Sequence, residues 1–142
     1  MRKICFAIIC VLILLGTAAC RDNDAQLAWA QSLKASDVAR IEIVRLLGAA
    51  DERYKDCEKT EFERIVSIIN GAKGKRVDAL EGISGGTVTV YITLNDGTRH
   101  TFANNGNVYL VIDGVSFEAK YEWLNGWSNE KTNGALPQDF VL

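Results

Sequence analysis

The chain has 142 residues, 48% hydrophobic and 24% charged, with 16 Lys and Arg against 18 Asp and Glu. That length fits one small domain, since domains commonly run to about 100–200 residues, and it excludes a multidomain enzyme. The near-neutral balance excludes a nucleic-acid binder that works through a dense basic footprint. One His and four Cys, two of them in a removable segment, leave too few soft ligands for a zinc or iron–sulfur site, and no cofactor is expected.

Residues 1–19 have the three parts of an export signal: basic Arg2 and Lys3, an apolar run from Ile4 to Leu15, and the small residues Gly16, Thr17, Ala18 and Ala19 before Cys20. The apolar run is shorter than the roughly 20 residues a membrane-spanning helix needs, so the segment reads as a signal peptide. The string Leu15-Gly16-Thr17-Ala18-Ala19-Cys20 resembles the bacterial lipobox, in which the Cys thiol takes the lipid and becomes the first residue of the mature protein. Thr17 is a less usual residue at its position, and a plain secretory signal cleaved at the same small residues is the rival reading. A single acyl chain binds membranes only marginally; the lipobox resemblance implies at least two chains, and so a stable anchor. Loss of Arg2 and Lys3 lowers the basic count from 16 to 14 against 18 acids. A mildly acidic domain is repelled by an anionic bilayer, so the lipid rather than a protein face is expected to tether it. Cys57 is then the only remaining thiol, expected as a partly buried, inert side chain.

Residues 20–35 read as a lipid-anchored tether with a short helical piece around Leu27 and Trp29; the indole either meets the membrane interface or docks on the folded domain. A globular domain is expected over 36–127. Within it Val38 to Leu47 is a β-branched run that reads as a strand, and Gly48 opens a polar excursion. Thr60 and Glu63 form a capping box. Phe62, Ile65, Val66 and Ile69 follow at the spacing of one helix face, with Asn70-Gly71 as the stop. After a Gly- and Lys-rich loop at Ala72 to Arg76, the period changes to two: Val88, Val90, Ile92 and Leu94 alternate with Thr87, Thr89, Tyr91 and Thr93. Turn residues at Asn95-Asp96-Gly97, Asn104-Asn105-Gly106 and Asp113-Gly114 separate four alternating runs, which describes an antiparallel meander. The expected fold is α+β in two layers, one helix on a mostly antiparallel β-meander sheet in the order β-α-β-β-β-β, closed by a helical turn near Trp123 and Trp127. The tail, 128–142, holds Asn129, Asn133, Gly134 and the only proline, Pro137, and is expected to be loose.

Gly82-Ile83-Ser84-Gly85-Gly86 matches the nucleophile elbow G-x-S-x-G, and Asp96 and His100 follow in the order Ser, Asp, His. The elbow requires a strand before the serine and a helix after it, and here a strand follows. Ser84 is therefore expected in a glycine loop, and His100 as a half-exposed strand residue. The acidic stretch Asp51, Glu52, Asp56, Glu58, Glu61 and Glu63 is interleaved with Arg53, Lys55, Lys59 and Arg64, which suits a solvated loop and helix start better than a cation site. Tyr91 and Tyr109 fall opposite Val90, Ile92, Val108 and Leu110, so they are expected to face outward as a partner-binding patch; cross-strand pairing within the sheet is the plainer role.

The lipobox at Cys20, Ser36-Asp37-Val38 leading into Ile41-Glu42-Ile43, the Glu61 to Asn70 helix and the Tyr91 to Tyr121 hairpins together resemble the small, uncharacterised bacterial lipoproteins that carry one β-α-β-meander domain. The resemblance implies surface anchoring, here at the bacterial cell membrane or outer membrane, and no established activity, so it transfers no catalytic residue. The expectation is a non-catalytic module that binds a protein or peptide partner at the envelope. The alternatives are a small envelope hydrolase centred on Ser84 and His100, and a small-ligand or cation-binding lipoprotein that uses the acidic loop.

Overall fold

A computed structural model describes residues 25–46, 52–78, 87–105, 108–119 and 137–140. The signal segment, Cys20, Ser84 and the Trp123–Trp127 turn lie outside the described residues. The chain forms helix α1 (Ala25–Ser32), β1 (Val38–Leu46), β2 (Glu52–Asp56), α2 (Phe62–Asn70), β3 (Lys75–Val77), β4 (Thr87–Leu94), β5 (Arg99–Asn105), β6 (Tyr109–Ile112) and β7 (Val115–Glu118). No helix among the described residues is long and apolar enough to cross a membrane.

All seven strands join one antiparallel sheet in the order β2-β1-β4-β5-β6-β7-β3. The α+β class and the meander from β4 to β7 match the sequence reading. Two strands were not expected, whereas the helical piece around Leu27 and Trp29 is present as α1. β2 forms within the polar excursion after β1, and β3 forms where a Gly- and Lys-rich loop was expected. Short strands with charged residues carry little pattern of their own, and they form because an already ordered neighbour offers its edge. The strand β3 depends on Gly74, where a Cβ would come within 2.9 Å of both the Glu118 carbonyl oxygen and the Phe117 Cβ; only glycine lets the chain approach β7 this closely.

The turns follow their residue types. Asp113 and Gly114 both have positive φ, 47° and 80°, between the paired residues Ile112 and Val115; this is the two-residue hairpin whose twist matches the strands. Gly97, at φ 87°, is the third of the four residues between β4 and β5, and the Asp96 carboxylate accepts from the Thr98 N–H at 2.8 Å. That backbone bond holds the Asp96 carboxyl below its ordinary pKa.

One face of the sheet carries the core. Phe102, Phe117, Ile41, Ile43, Ile92, Leu110 and Ile112 are fully buried there, together with Ile65 and Ile69 of α2. A helix of nine residues is marginal alone in water, so α2 is held by Phe62, Ile65, Val66 and Ile69 packing on the sheet. Each such burial is worth about 1.5–3 kcal/mol. The capping box lies two residues earlier than expected. A 3-10 turn, Lys59–Glu61, precedes the helix, and the reciprocal bonds join Glu58 and Glu61 rather than Thr60 and Glu63. Lys55 donates to Glu61 at 2.6 Å and keeps its carboxyl below the usual range.

The segment expected as a tether contributes to the same core. Leu27, Ala30 and Leu33 are buried, and Trp29 stacks on His100 with ring centroids 4.1 Å apart, the docking alternative for this indole. The packed unit therefore begins by Ala25 rather than at residue 36. Helix α1 is pinned by side chains: Asn70 Nδ2 donates to the carbonyls of Ala30 and Leu33 at 2.8 and 3.0 Å, and Gln31 Nε2 donates to the Ala72 carbonyl at 2.8 Å. Asn70 thus joins the two helices, and Gly71 ends α2 with an ordinary φ of −73°.

Replacing Asn70 by Ala removes the donor for two carbonyls at the α1–α2 junction, an expected loss of about 1–3 kcal/mol. The measurement is urea unfolding, read as a lower midpoint for Asn70→Ala than for the parent protein.

Candidate functional site

The face of the sheet away from the helices holds the densest polar constellation among the described residues. Strand alternation puts Arg40, Glu42 and Val44 of β1 on this open face. Register brings Glu42 opposite both Asp56 of β2 and Tyr91 of β4, Val44 opposite Tyr54, and Arg40 opposite Thr93 after a register shift between Val38 and Arg40. Thr93 in turn pairs with Arg99 of β5. The group is thus assembled by strand pairing, from β1, its neighbours β2 and β4, and β5 beyond β4.

Glu42 is only 5% exposed. A buried carboxylate requires hydrogen bonds or charge partners to offset its lost hydration. Tyr54 Oη donates to Glu42 Oε1 at 2.7 Å, Arg40 Nη2 lies 3.2 Å from the same oxygen, and Arg99 Nη2 approaches Oε2 at 3.8 Å. Arg40 also donates to Tyr54 Oη at 3.1 Å and to both oxygens of Asp56, at 2.8–3.3 Å. The Asp56 bond, with the charge of Glu42, raises the Arg40 pKa further above its already high value. Burial first, and then donation to Glu42, pushes the Tyr54 phenol well above the ordinary 10.0. Burial also raises Tyr91, against the opposing charge of Arg99.

A small second core covers this face. Val44, Tyr54 and Tyr91 are buried there, with Leu46 and Phe140 packed against them. Phe140 meets Tyr54 and Tyr91 edge-on, with centroids 5.5 and 5.0 Å away, and the Arg99 guanidinium lies 4.4 Å from the Tyr91 centroid and 5.0 Å from that of Phe140. Beside Phe140 a cleft of about 290 Å³ opens between Arg40, Glu42, Tyr54, Thr93, Arg99 and the tail residues Pro137 and Asp139.

Several expectations change here. Tyr91 does lie on the face opposite Val90 and Ile92, but it is 7% exposed rather than outward, because Tyr54 and Phe140 cover it. Tyr109 shares the open face and is half-buried, yet β5 separates β6 from β4, so the two tyrosines do not make one patch. Val108, expected on the core face, is exposed, because it precedes β6 in the turn. The tail, expected loose, has its described part, Pro137–Phe140, seated on the sheet.

The site residues that sequence reasoning missed are Arg40, Glu42, Tyr54, Arg99 and Phe140. Charges at Arg40 and Glu42 alternating with Ile41 and Ile43 were visible, but nothing local revealed that Tyr54 and Asp56 pair beside them.

His100 and Asp113 form a second arrangement. His100 Nδ1 lies 2.7 Å from Asp113 Oδ2, while Asp113 Oδ1 accepts from the Thr101 N–H at 2.8 Å. A carboxylate only accepts, so the ring hydrogen sits on Nδ1. The acid beside His100 is Asp113, not Asp96, which is occupied in its own turn. Cys57 is buried in the main core. Asp56 is bonded to Arg40, and Glu61 to Lys55. Among the described residues no group of three or more His, Cys, Asp or Glu is arranged to hold a metal ion.

No protein-family model matches the chain, and no curated protein or solved structure matches it.

The shifts of Tyr54 and Tyr91 have a spectroscopic consequence. In an alkaline titration followed by phenolate absorbance, part of the tyrosine signal is expected well above pH 10, and Tyr54→Phe is expected to remove the latest part. The sign for stability follows from the raised folded-state pKa: Tyr54 contributes fully below its unfolded value near 10.0, and its contribution is lost as pH climbs from there through the folded value.

Proposed function

We propose that this chain is an exported, lipid-anchored module of the bacterial cell envelope that binds a protein or peptide partner on the open face of its sheet, without acting chemically on it. The observation that carries the binding half of this reading is the cleft beside Phe140, where a buried Glu42 with its Tyr54 and Arg40 partners supports a rim of cations and aromatic rings. Aromatic residues and arginine are the side chains enriched at binding surfaces. Fixing them in advance lowers the ordering cost of association. The anchoring half rests on the sequence from Arg2 to Cys20, with the lipid on Cys20 carrying the attachment and the acidic domain standing off the bilayer. The resemblance to small β-α-β-meander lipoproteins points the same way.

A second reading, a small envelope hydrolase, is favoured by the His100–Asp113 contact, which orients an imidazole as a general base requires. It needs a nucleophile near His100, and Ser84 is the sequence candidate.

Palmitate labelling of the full-length chain in a bacterial host is expected to mark the parent protein and to disappear in Cys20→Ala. In-cell crosslinking is expected to recover a defined envelope partner with the parent protein and with Ser84→Ala and His100→Ala, and to lose it with Arg99→Glu. Loss of the biological activity in Ser84→Ala or His100→Ala, with folding intact, reverses the ranking in favour of the hydrolase.

A further inference from the structure

Resting on the open face as a binding surface, we propose that the pocket under Phe140 is a receptor for the aromatic side chain of a peptide turn with an acidic residue just before it, and that Asp139-Phe140 of this chain is its internal occupant.

The pocket walls are held by bonds that do not involve Phe140. Tyr54 is fixed by its bond to Glu42 and by Arg40, and Arg99 lies over the Tyr91 ring while facing Glu42. Removing the Phe140 ring therefore leaves two aromatic rings and a guanidinium around an aromatic-sized space, a preorganised site. Edge-to-face ring contacts and a cation over a ring face select an aromatic over an aliphatic side chain of similar size.

The chain itself shows how a peptide sits there. Pro137 to Phe140 forms a turn closed by the Phe140 N–H donating to the Pro137 carbonyl at 3.0 Å. Asp139 is exposed and lines the cleft with Arg40 and Arg99. That placement is the reason for the acidic requirement. The internal occupancy is partial, since Phe140 stays half-buried and about 290 Å³ remains open beside it. A tethered segment competes with an effective concentration on the order of millimolar, so a partner must displace Phe140 before it binds.

The test uses a dye-labelled synthetic peptide with the sequence of residues 135–142, Ala-Leu-Pro-Gln-Asp-Phe-Val-Leu, titrated by fluorescence anisotropy into the full chain and its Phe140→Ala variant, each checked for folding by circular dichroism. The peptide is expected to bind Phe140→Ala roughly tenfold or more tightly than the parent protein, because the competitor is gone. A peptide with Ala at the aromatic position is expected not to bind, one with Asn for the Asp to bind several-fold more weakly, and Arg99→Gln on the Phe140→Ala background to weaken the parent peptide. Equal affinity for both proteins, or indifference to the peptide's aromatic residue, overturns the proposal. If Phe140→Ala does not fold, Phe140→Leu keeps apolar bulk without the ring, and the same gain in affinity is required of it.

The outcome separates this proposal from the broader one. Failure of the peptide to bind while Arg99→Glu still abolishes in-cell partner capture removes the aromatic receptor and leaves the binding module. Peptide binding as expected, with partner capture unaffected by Arg99→Glu, supports the receptor and removes the envelope partner from this face.

Discussion

The pairing of β1 with β4 is the constraint on which both faces of this molecule depend. It runs from Val38 opposite Leu94 to Leu46 opposite Thr87. Because side chains alternate across a strand, this register commits Ile41, Ile43, Val90 and Ile92 to the face under α1 and α2, and Glu42, Val44 and Tyr91 to the other. A slip of one residue would send the isoleucines to the open face and bury Glu42 among apolar side chains without its partners, so the register is specified by both layers together.

The open face is organised around a carboxylate that cannot be left alone. Glu42 accepts from Tyr54, faces two guanidinium groups, and through Arg40 is joined to Asp56. A buried ion pair of this kind is a poor stabiliser relative to well-packed apolar residues, since desolvation offsets much of the Coulomb gain. Its consequence is positional: it holds Tyr54 and Arg99 in fixed places and so shapes the cleft into which Phe140 is set.

How much of this could be read from the chain depends on how local each signal is. The helix from Phe62 to Asn70 and the strands from Thr87 to Glu118 announce themselves through a stripe at helical spacing, strict alternation, and turn residues suited to positive φ at Gly97, Asp113 and Gly114. β2 and β3 are short and charged, and they exist only because β1 and β7 present edges to them; β3 further needs Gly74 for its close approach. Helix α1 has weak patterning, and the Asn70 side chain that pins it comes from about 40 residues away. The same non-locality hid the candidate site, whose residues Arg40, Tyr54, Arg99 and Phe140 come from four separate stretches of chain.

The amino-acid sequence by itself determined the α+β class, the meander and the apolar face of α2, because each rests on periodicity or turn chemistry within about ten residues. It also motivates the proposal of an export signal with a lipid-accepting Cys20. Only the tertiary structure decided that the described residues form a sheet of seven strands with β2 and β3 at its edges, that Tyr91 is covered rather than outward, that His100 faces Asp113, and that the tail places Phe140 against Tyr54, Tyr91 and Arg99. Those outcomes depend on strand register and on contacts between distant segments, and their free energy is realised only once the whole sheet has formed.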